Sequence, residues 1–151
     1  MTDGLQKIII LESAGFTIST DKNKINLTTV YEFLKTTYWA AERTLQQVED
    51  SIKNSLCFGV YDETNQIGFA RVITDYTTFA YLADVFILPS HRNLGLGKWL
   101  LNAIVNTELL KNINMWLLLT NDTQKLYEQV GFVTYPDSDN VMILKSQKSQ
   151  E

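Results

Sequence analysis

The stretch Arg92-Asn93-Leu94-Gly95-Leu96-Gly97 constrains this chain more than any other. It follows an apolar segment, Tyr81 to Leu88 closed by Pro89, and opens an amphipathic one running from Lys98 to Val105. A strand that passes into a helix through a glycine-containing loop presents free backbone N–H groups at the positive end of the helix, where phosphate is readily held. Spacing excludes the two common nucleotide loops. A dinucleotide fingerprint needs a third glycine where Leu100 stands, and a P-loop needs glycine at position 92, which is Arg.

Further along comes Trp116-Leu117-Leu118-Leu119-Thr120-Asn121-Asp122, followed by Thr123-Gln124-Lys125-Leu126-Tyr127-Glu128-Gln129-Val130-Gly131-Phe132. The pattern predicts a buried strand, Asp122 as N-cap, a short helix with Leu126 and Val130 on one face, and Gly131 as the stop. Arg92-x-x-Gly95-x-Gly97 resembles the pyrophosphate loop of the GNAT superfamily of N-acetyltransferases. The downstream segment is similar to that family's second signature, a strand leading into a short helix that ends Leu-Tyr-x-x-x-Gly-Phe. The two occur in the family's order, and the resemblance covers roughly residues 16–145. It implies acetyl-coenzyme A as cofactor.

Composition is compatible with this and narrows the alternatives. At 151 residues, 45% of them apolar, the chain has the length of one domain, expected to span 1–151 with an N-terminal extension over 1–14 and a flexible tail over 146–151. Its longest N-terminal apolar run, Ile8 to Leu11, is too short for a signal core or a membrane span, so a cytoplasmic protein without a membrane partner is expected. Net charge is −4 and the lysines are scattered, which argues against nucleic acid. Cys57 is the only cysteine and sits in the apolar run Leu56–Val60, which reads as an inert core thiol and excludes a cysteine metal cluster; no metal is expected.

Along the chain, Phe16–Thr20 reads as a first strand. Thr28–Tyr38 places Val30, Phe33, Leu34 and Tyr38 at helical spacing, and Thr44-x-x-Gln47 is a capping box opening a second helix through Asn54. Leu56–Tyr61 and Ile67–Thr74 form a hairpin, and Tyr81–Leu88 a third strand in that group. A helix to Asn106, a strand at Met115–Leu119, a helix over 122–130 and final strands near Phe132–Tyr135 and Val141–Leu144 complete the reading. This is an α+β class with a mixed, mostly antiparallel sheet and helices on both faces. The resemblance adds a splayed central strand pair into which the cofactor enters.

The residues suggest roles for an acetyl transfer, which needs a fixed carbonyl, a neutral nucleophile, an oxyanion donor and a proton for the departing sulfur. The pyrophosphate falls to Arg92, Asn93, Leu94, Gly95, Leu96, Gly97 and Lys98, mainly through backbone N–H groups. By resemblance the pantetheine arm pairs along Val85, Phe86 and Ile87, whose N–H groups are oxyanion candidates. Tyr127 occupies the position of the family's proton-donating tyrosine, and Asn121 either donates to the pantetheine or caps the turn. Asp84, in an otherwise apolar strand, is either the general base or a structural carboxylate, and alternation places it with Leu82 and Phe86. His91, the only histidine, reads as solvent-facing or phosphate-adjacent.

The acceptor is expected between Tyr38, Trp39 and Arg43 on one side and Asp75, Tyr76, Phe79 and Tyr81 on the other. Aromatics beside one arginine suit a small amine that also carries a carboxylate or a flat group. A small-molecule primary amine is the leading partner. A protein N-terminus or lysine, and a non-catalytic acetyl-coenzyme A sensor, stand as alternatives, and homodimerisation is open.

Overall fold

A computed structural model describes residues 6–146. Its strands are β1 (Ile10–Ser13), β2 (Phe16–Ser19), β3 (Leu56–Asp62), β4 (Asn65–Thr74), β5 (Ala80–Ile87) and β6 (Trp116–Leu117). Its α-helices are α1 (Leu27–Leu34), α2 (Leu45–Lys53), α3 (Leu96–Val105) and α4 (Gln124–Glu128). The chain forms two compact units, one ending at Leu119 and one beginning at Thr120.

In the first unit the strands lie in sequence order in one sheet. Every neighbouring pair is antiparallel except β5 and β6, which are parallel. Alternation divides the long strands. Cys57 and Phe69 join Phe86, Val30, Leu34, Ala40, Val48 and Ile52 in a core under α1 and α2, where the Phe33 and Phe86 rings stack at 4.1 Å. Their alternates Phe58, Val60, Ala70 and Val72 are buried as well, and α3, packed on β3 and β5, brings Leu100, Leu101 and Ile104 to the interior. Full burial of each Val, Leu, Ile or Phe among them contributes roughly 1.5–3 kcal/mol. Helices therefore cover both faces, as expected. Cys57 is among the fully buried side chains, and burial pushes its thiol up to about 12, so it is inert.

Local chemistry explains the helix limits. Asn26 caps α1 by accepting from Thr29 N–H at 3.0 Å, and the Thr44–Gln47 capping box at α2 is formed in both directions. The helix expected over 28–38 stops at Leu34, because the Thr36 and Thr37 hydroxyls donate back to the Phe33 and Leu34 carbonyls at 2.6 and 2.7 Å. Such back-bonding competes with continued helix.

Further expectations are corrected. The 1–14 extension contains a strand, β1, joined to β2 through Ala14 and Gly15, both at positive φ as a two-residue hairpin turn requires. All four β1 residues are exposed, so burial does not mark it. In the second unit the strands expected at 132–135 and 141–144 do not form, and Val133, Met142 and Leu144 are 80, 92 and 96% exposed. A strand exists only through hydrogen bonds to a neighbour, which apolar patterning alone does not provide. In the same unit α4 is shorter than expected and its N-cap is Thr123 rather than Asp122. The Gly131 stop is as expected: Gly131 has φ +108°, its N–H reaches the Glu128 carbonyl at 3.1 Å, and Phe132 N–H reaches the Tyr127 carbonyl at 3.2 Å. Of the expected tail, 147–151 lie outside the described residues.

Candidate active site

The first unit's distinctive feature is a break in β5. Phe86 pairs with Phe69 and Ala83 with Arg71, so two residues, Asp84 and Val85, oppose the single residue Ala70. This is a β-bulge. Asp84 sits in it at φ +55°, in the left-handed region that side chains usually avoid. The bulge overturns the alternation expected from sequence. Leu82 opposes Val72 and Phe86 opposes Phe69, and partners three residues apart on β4 face opposite ways, so Leu82 and Phe86 lie on different faces.

The Asp84 side chain is 1% exposed and its two oxygens accept four hydrogen bonds. Trp39 Nε1 donates to Oδ1 at 3.0 Å, Arg43 Nη1 to both oxygens at 3.0 and 2.8 Å, and Arg71 Nε to Oδ2 at 2.9 Å. Arg71 in turn donates from Nη1 to Ser55 Oγ at 3.1 Å. One carboxylate thus lies between two guanidinium groups, and the cluster's formal charge is positive. Arg71 is buried whereas the Arg43 side chain is 30% exposed, so the surplus charge is nearest solvent at Arg43. The Tyr81 hydroxyl feels the same cluster: burial raises it above the usual phenol range, Asp84 adds to that, and Arg71 and Arg43 oppose it.

β5 is also half of the strand pair that parts. Pairing with β6 covers only Ala80 with Trp116 and Tyr81 with Leu117; among the described residues no strand lies on that edge of β5 from Leu82 to Ile87. Beyond Ile87 the chain turns through Pro89–His91, and Arg92 Nε donates back to the Ile87 carbonyl at 3.0 Å. Asn93 is at φ +66°, and Gly95, at φ +79°, is the N-cap of α3. A Cβ at Gly95 would meet nothing within 4 Å, so glycine is required there by backbone conformation and not by crowding from the protein. Trp99 N–H makes the first helical bond, to the Gly95 carbonyl at 3.1 Å. No side chain caps α3, leaving Leu96, Gly97 and Lys98 N–H groups as the donors of an uncapped helix start. The Leu96 side chain itself is in the core. His91 is half-buried, hydrogen-bonded through Nε2 to Asp62 Oδ2 at 2.9 Å and through Nδ1 to Ser90 Oγ at 2.7 Å, so it ties the loop to the end of β3.

This bulged, parted strand running into an uncapped glycine loop coincides with a family match: the model of the acetyltransferase (GNAT) domain fits residues 53–134. The chain belongs to the GNAT family of acetyltransferases. A Gibberella zeae protein named as an acetyltransferase is 30% identical over 83% of this chain and 84% of its own length. An uncharacterized N-acetyltransferase of Gracilaria tenuistipitata is 29% identical over 89% of this chain and 80% of its own. The crystal structure of a GNAT-family protein from Xanthomonas campestris is 35% identical and matches with TM-score 0.85 over 89% of this chain and 96% of that one. A Deinococcus radiodurans structure at 19% identity, TM-score 0.70, 94% of this chain and 96% of that one, shares the fold. The protein is therefore an N-acetyltransferase, and acetyl-coenzyme A is the acetyl donor typical of its family.

Of the acceptor residues expected for this GNAT chain, the structure gathers Trp39, Arg43 and Tyr81 around Asp84. Tyr38, 60% exposed, meets the Trp39 ring edge-on at 5.1 Å. Asp75, Tyr76 and Phe79 belong instead to the β4–β5 loop. Asp75 accepts from Thr77, Thr78 and Phe79 N–H groups and from the Thr78 hydroxyl, Tyr76 donates from its hydroxyl to Gln6, and the Phe79 carbonyl accepts from Thr74. In the second unit, Tyr127 lies on α4 with its ring edge-on to Phe132 at 6.0 Å, and the Asn121 carbonyl accepts from Gln124 at 3.4 Å. Arg71 and Ser55 were missed by sequence reasoning. The available signal was a lone arginine in the apolar run Ile67–Ile73, one strand away from a lone aspartate.

Proposed function

We propose that this chain transfers the acetyl group of acetyl-coenzyme A to the primary amine of a small molecule, by direct attack in a ternary complex. The observation that carries the reading is the course of β5, with no described strand on its edge from Leu82 to Ile87 and its exit into the uncapped start of α3. That edge offers backbone groups of Val85 and Ile87 to an extended arm as an added strand would use them, while Phe86 between them faces β4. The loop offers the Leu96, Gly97 and Lys98 N–H groups, the Lys98 charge and the left-handed Gly95 to a pyrophosphate, with Asn93 and Leu94 leading in and Arg92 pinned to Ile87. When bound, the cofactor supplies an activated thioester carbonyl. The Val85 N–H group is assigned to its oxygen.

Tyr127 is assigned the proton delivered to the departing sulfur; a phenol is a neutral donor at physiological pH, and the assignment rests on the family signature. Asp84 is not assigned the amine's proton, because protonating it would break its pairing with Arg43, Arg71 and Trp39. The amine attacks in its neutral form and releases its proton to water. A small acceptor with an acidic or flat group is favoured by the exposed Tyr38–Trp39 pair beside the half-buried Arg43.

Two substitutions test the reading. Gly95→Val places a branched side chain at φ +79° over the phosphate donors, and calorimetric affinity for acetyl-coenzyme A should fall by about tenfold or more. Unchanged affinity in a folded variant would remove the loop from the cofactor site. Tyr127→Phe should leave that affinity nearly unchanged and lower turnover by roughly 10- to 1,000-fold in a free-thiol assay over amines and peptides. Turnover with peptides alone would replace the small-molecule acceptor by a protein one.

A further inference from the structure

We propose that Asp84 is a positioning residue that holds the β5 bulge in its strained form and, through Arg43 and Trp39, tethers the α1–α2 connection to the strand segment meant to polarise the thioester. This rests on the acetyl-coenzyme A reading above and extends it. Two facts stand together at one residue. Its backbone is in a conformation unfavourable to a side chain, and its carboxylate is the meeting point of three donors from two other elements: Arg71 of β4, and Trp39 and Arg43 between α1 and α2. A strained residue persists only when its surroundings over-determine it, and here the surroundings are an ion-pair network inside the protein.

The geometry also says what the strain accomplishes. The bulge puts Asp84 and Val85 opposite Ala70 alone, so the N–H group at Val85 follows the bulge and not the regular ladder, which resumes at Phe86. Releasing Asp84 lets β5 relax towards regular pairing and turns the Val85 N–H group away from the thioester oxygen. Because Arg43 is the part-exposed member, an acceptor contacting Arg43 or Trp39 acts on the same network. Acceptor contact and thioester polarisation are thereby coupled through one carboxylate.

The test reads polarisation directly, without turnover. The infrared carbonyl stretch of acetyl-coenzyme A carrying a 13C label in its acetyl carbonyl is compared free, on the wild-type protein, and on Asp84→Asn, Arg43→Ala and Arg43→Lys. The expected result is a lowered stretch on the wild type and a return towards the free value on Asp84→Asn and Arg43→Ala. Arg43→Lys should recover part of the shift, and Kd for acetyl-coenzyme A should stay within about threefold throughout. If Asp84→Asn does not fold, Arg43→Ala decides, since its side chain is part-exposed. Variants that keep the full wild-type shift overturn the proposal. A wild type that binds the cofactor without lowering the stretch overturns it too, while the cofactor reading stands. A wild type that does not bind acetyl-coenzyme A removes both.

Discussion

Two aspartates near the start and middle of β5 solve the same problem in opposite ways. Asp75 is exposed and draws its donors from Thr77, Thr78 and Phe79, at most four residues away. Asp84 is buried and draws its donors from Arg71, Arg43 and Trp39, which are 13, 41 and 45 residues away. The first carboxylate draws all of its named donors from its own loop. The second is tolerable only once β4, β5 and the α1–α2 connection have met, because a charge without partners in the interior is strongly unfavourable. Asp75 therefore organises a turn, and Asp84 reports on the completed fold.

The largest effect expected from this difference belongs to Asp84→Ala. It leaves Arg71 buried without its partner and should lower unfolding free energy by about 3–5 kcal/mol, measured by urea denaturation. A loss no larger than that of an Asp75 variant would break the comparison. Arg43→Ala is next. It removes the part-exposed partner and keeps the Arg71 pair, so a loss of about 1.5 kcal/mol is expected, near the lower end for a hydrogen bond to a charged group. A loss equal to that of Asp84→Ala would mean that Arg71 and Trp39 together cannot satisfy the carboxylate.

Asp75→Asn should have the smallest effect at neutral pH, and its value lies in the acid limb. Hydrogen bonds from the Thr78 hydroxyl first, then from the loop N–H groups, hold the Asp75 carboxyl well below the usual carboxylate range. A group whose folded pKa is lowered contributes stability above its unfolded pKa, about 3.9, and loses it as pH falls through the folded value. The wild type should thus lose stability more steeply than Asp75→Asn below about pH 4. Thermal midpoints of the two proteins between pH 2 and 7 check this, and parallel curves would show that the loop does not hold the charged form.

Much of the fold was legible because its cues are local. The Thr44–Gln47 capping box, the Gly131 stop and the hairpin of β3 and β4 each depend on residues close in sequence. The glycine loop was legible for the same reason, since Gly95 needs its conformation whatever lies around it. The failures fall where a partner decides. β1 escaped notice because its exposed side chains carry no burial signal, and the two C-terminal strands were expected from patterning without a neighbour to bond them. Asp84 was recognised as anomalous in its strand, but neither the bulge nor Arg71 and Arg43 as its partners could be read from the chain.

By itself, then, the sequence determined most of the helices, the hairpin of β3 and β4, the capping box of α2 and the glycine loop whose pattern resembles the family's, because each is encoded within a few consecutive residues. Only tertiary structure decided that β5 breaks its alternation at Asp84, that no described strand pairs with its edge beyond Tyr81, and that an aspartate readable as a base or as a structural carboxylate is pinned between two arginines. Those features are contacts between distant segments. Their energies arise only when burial removes water and leaves the carboxylate no other partner.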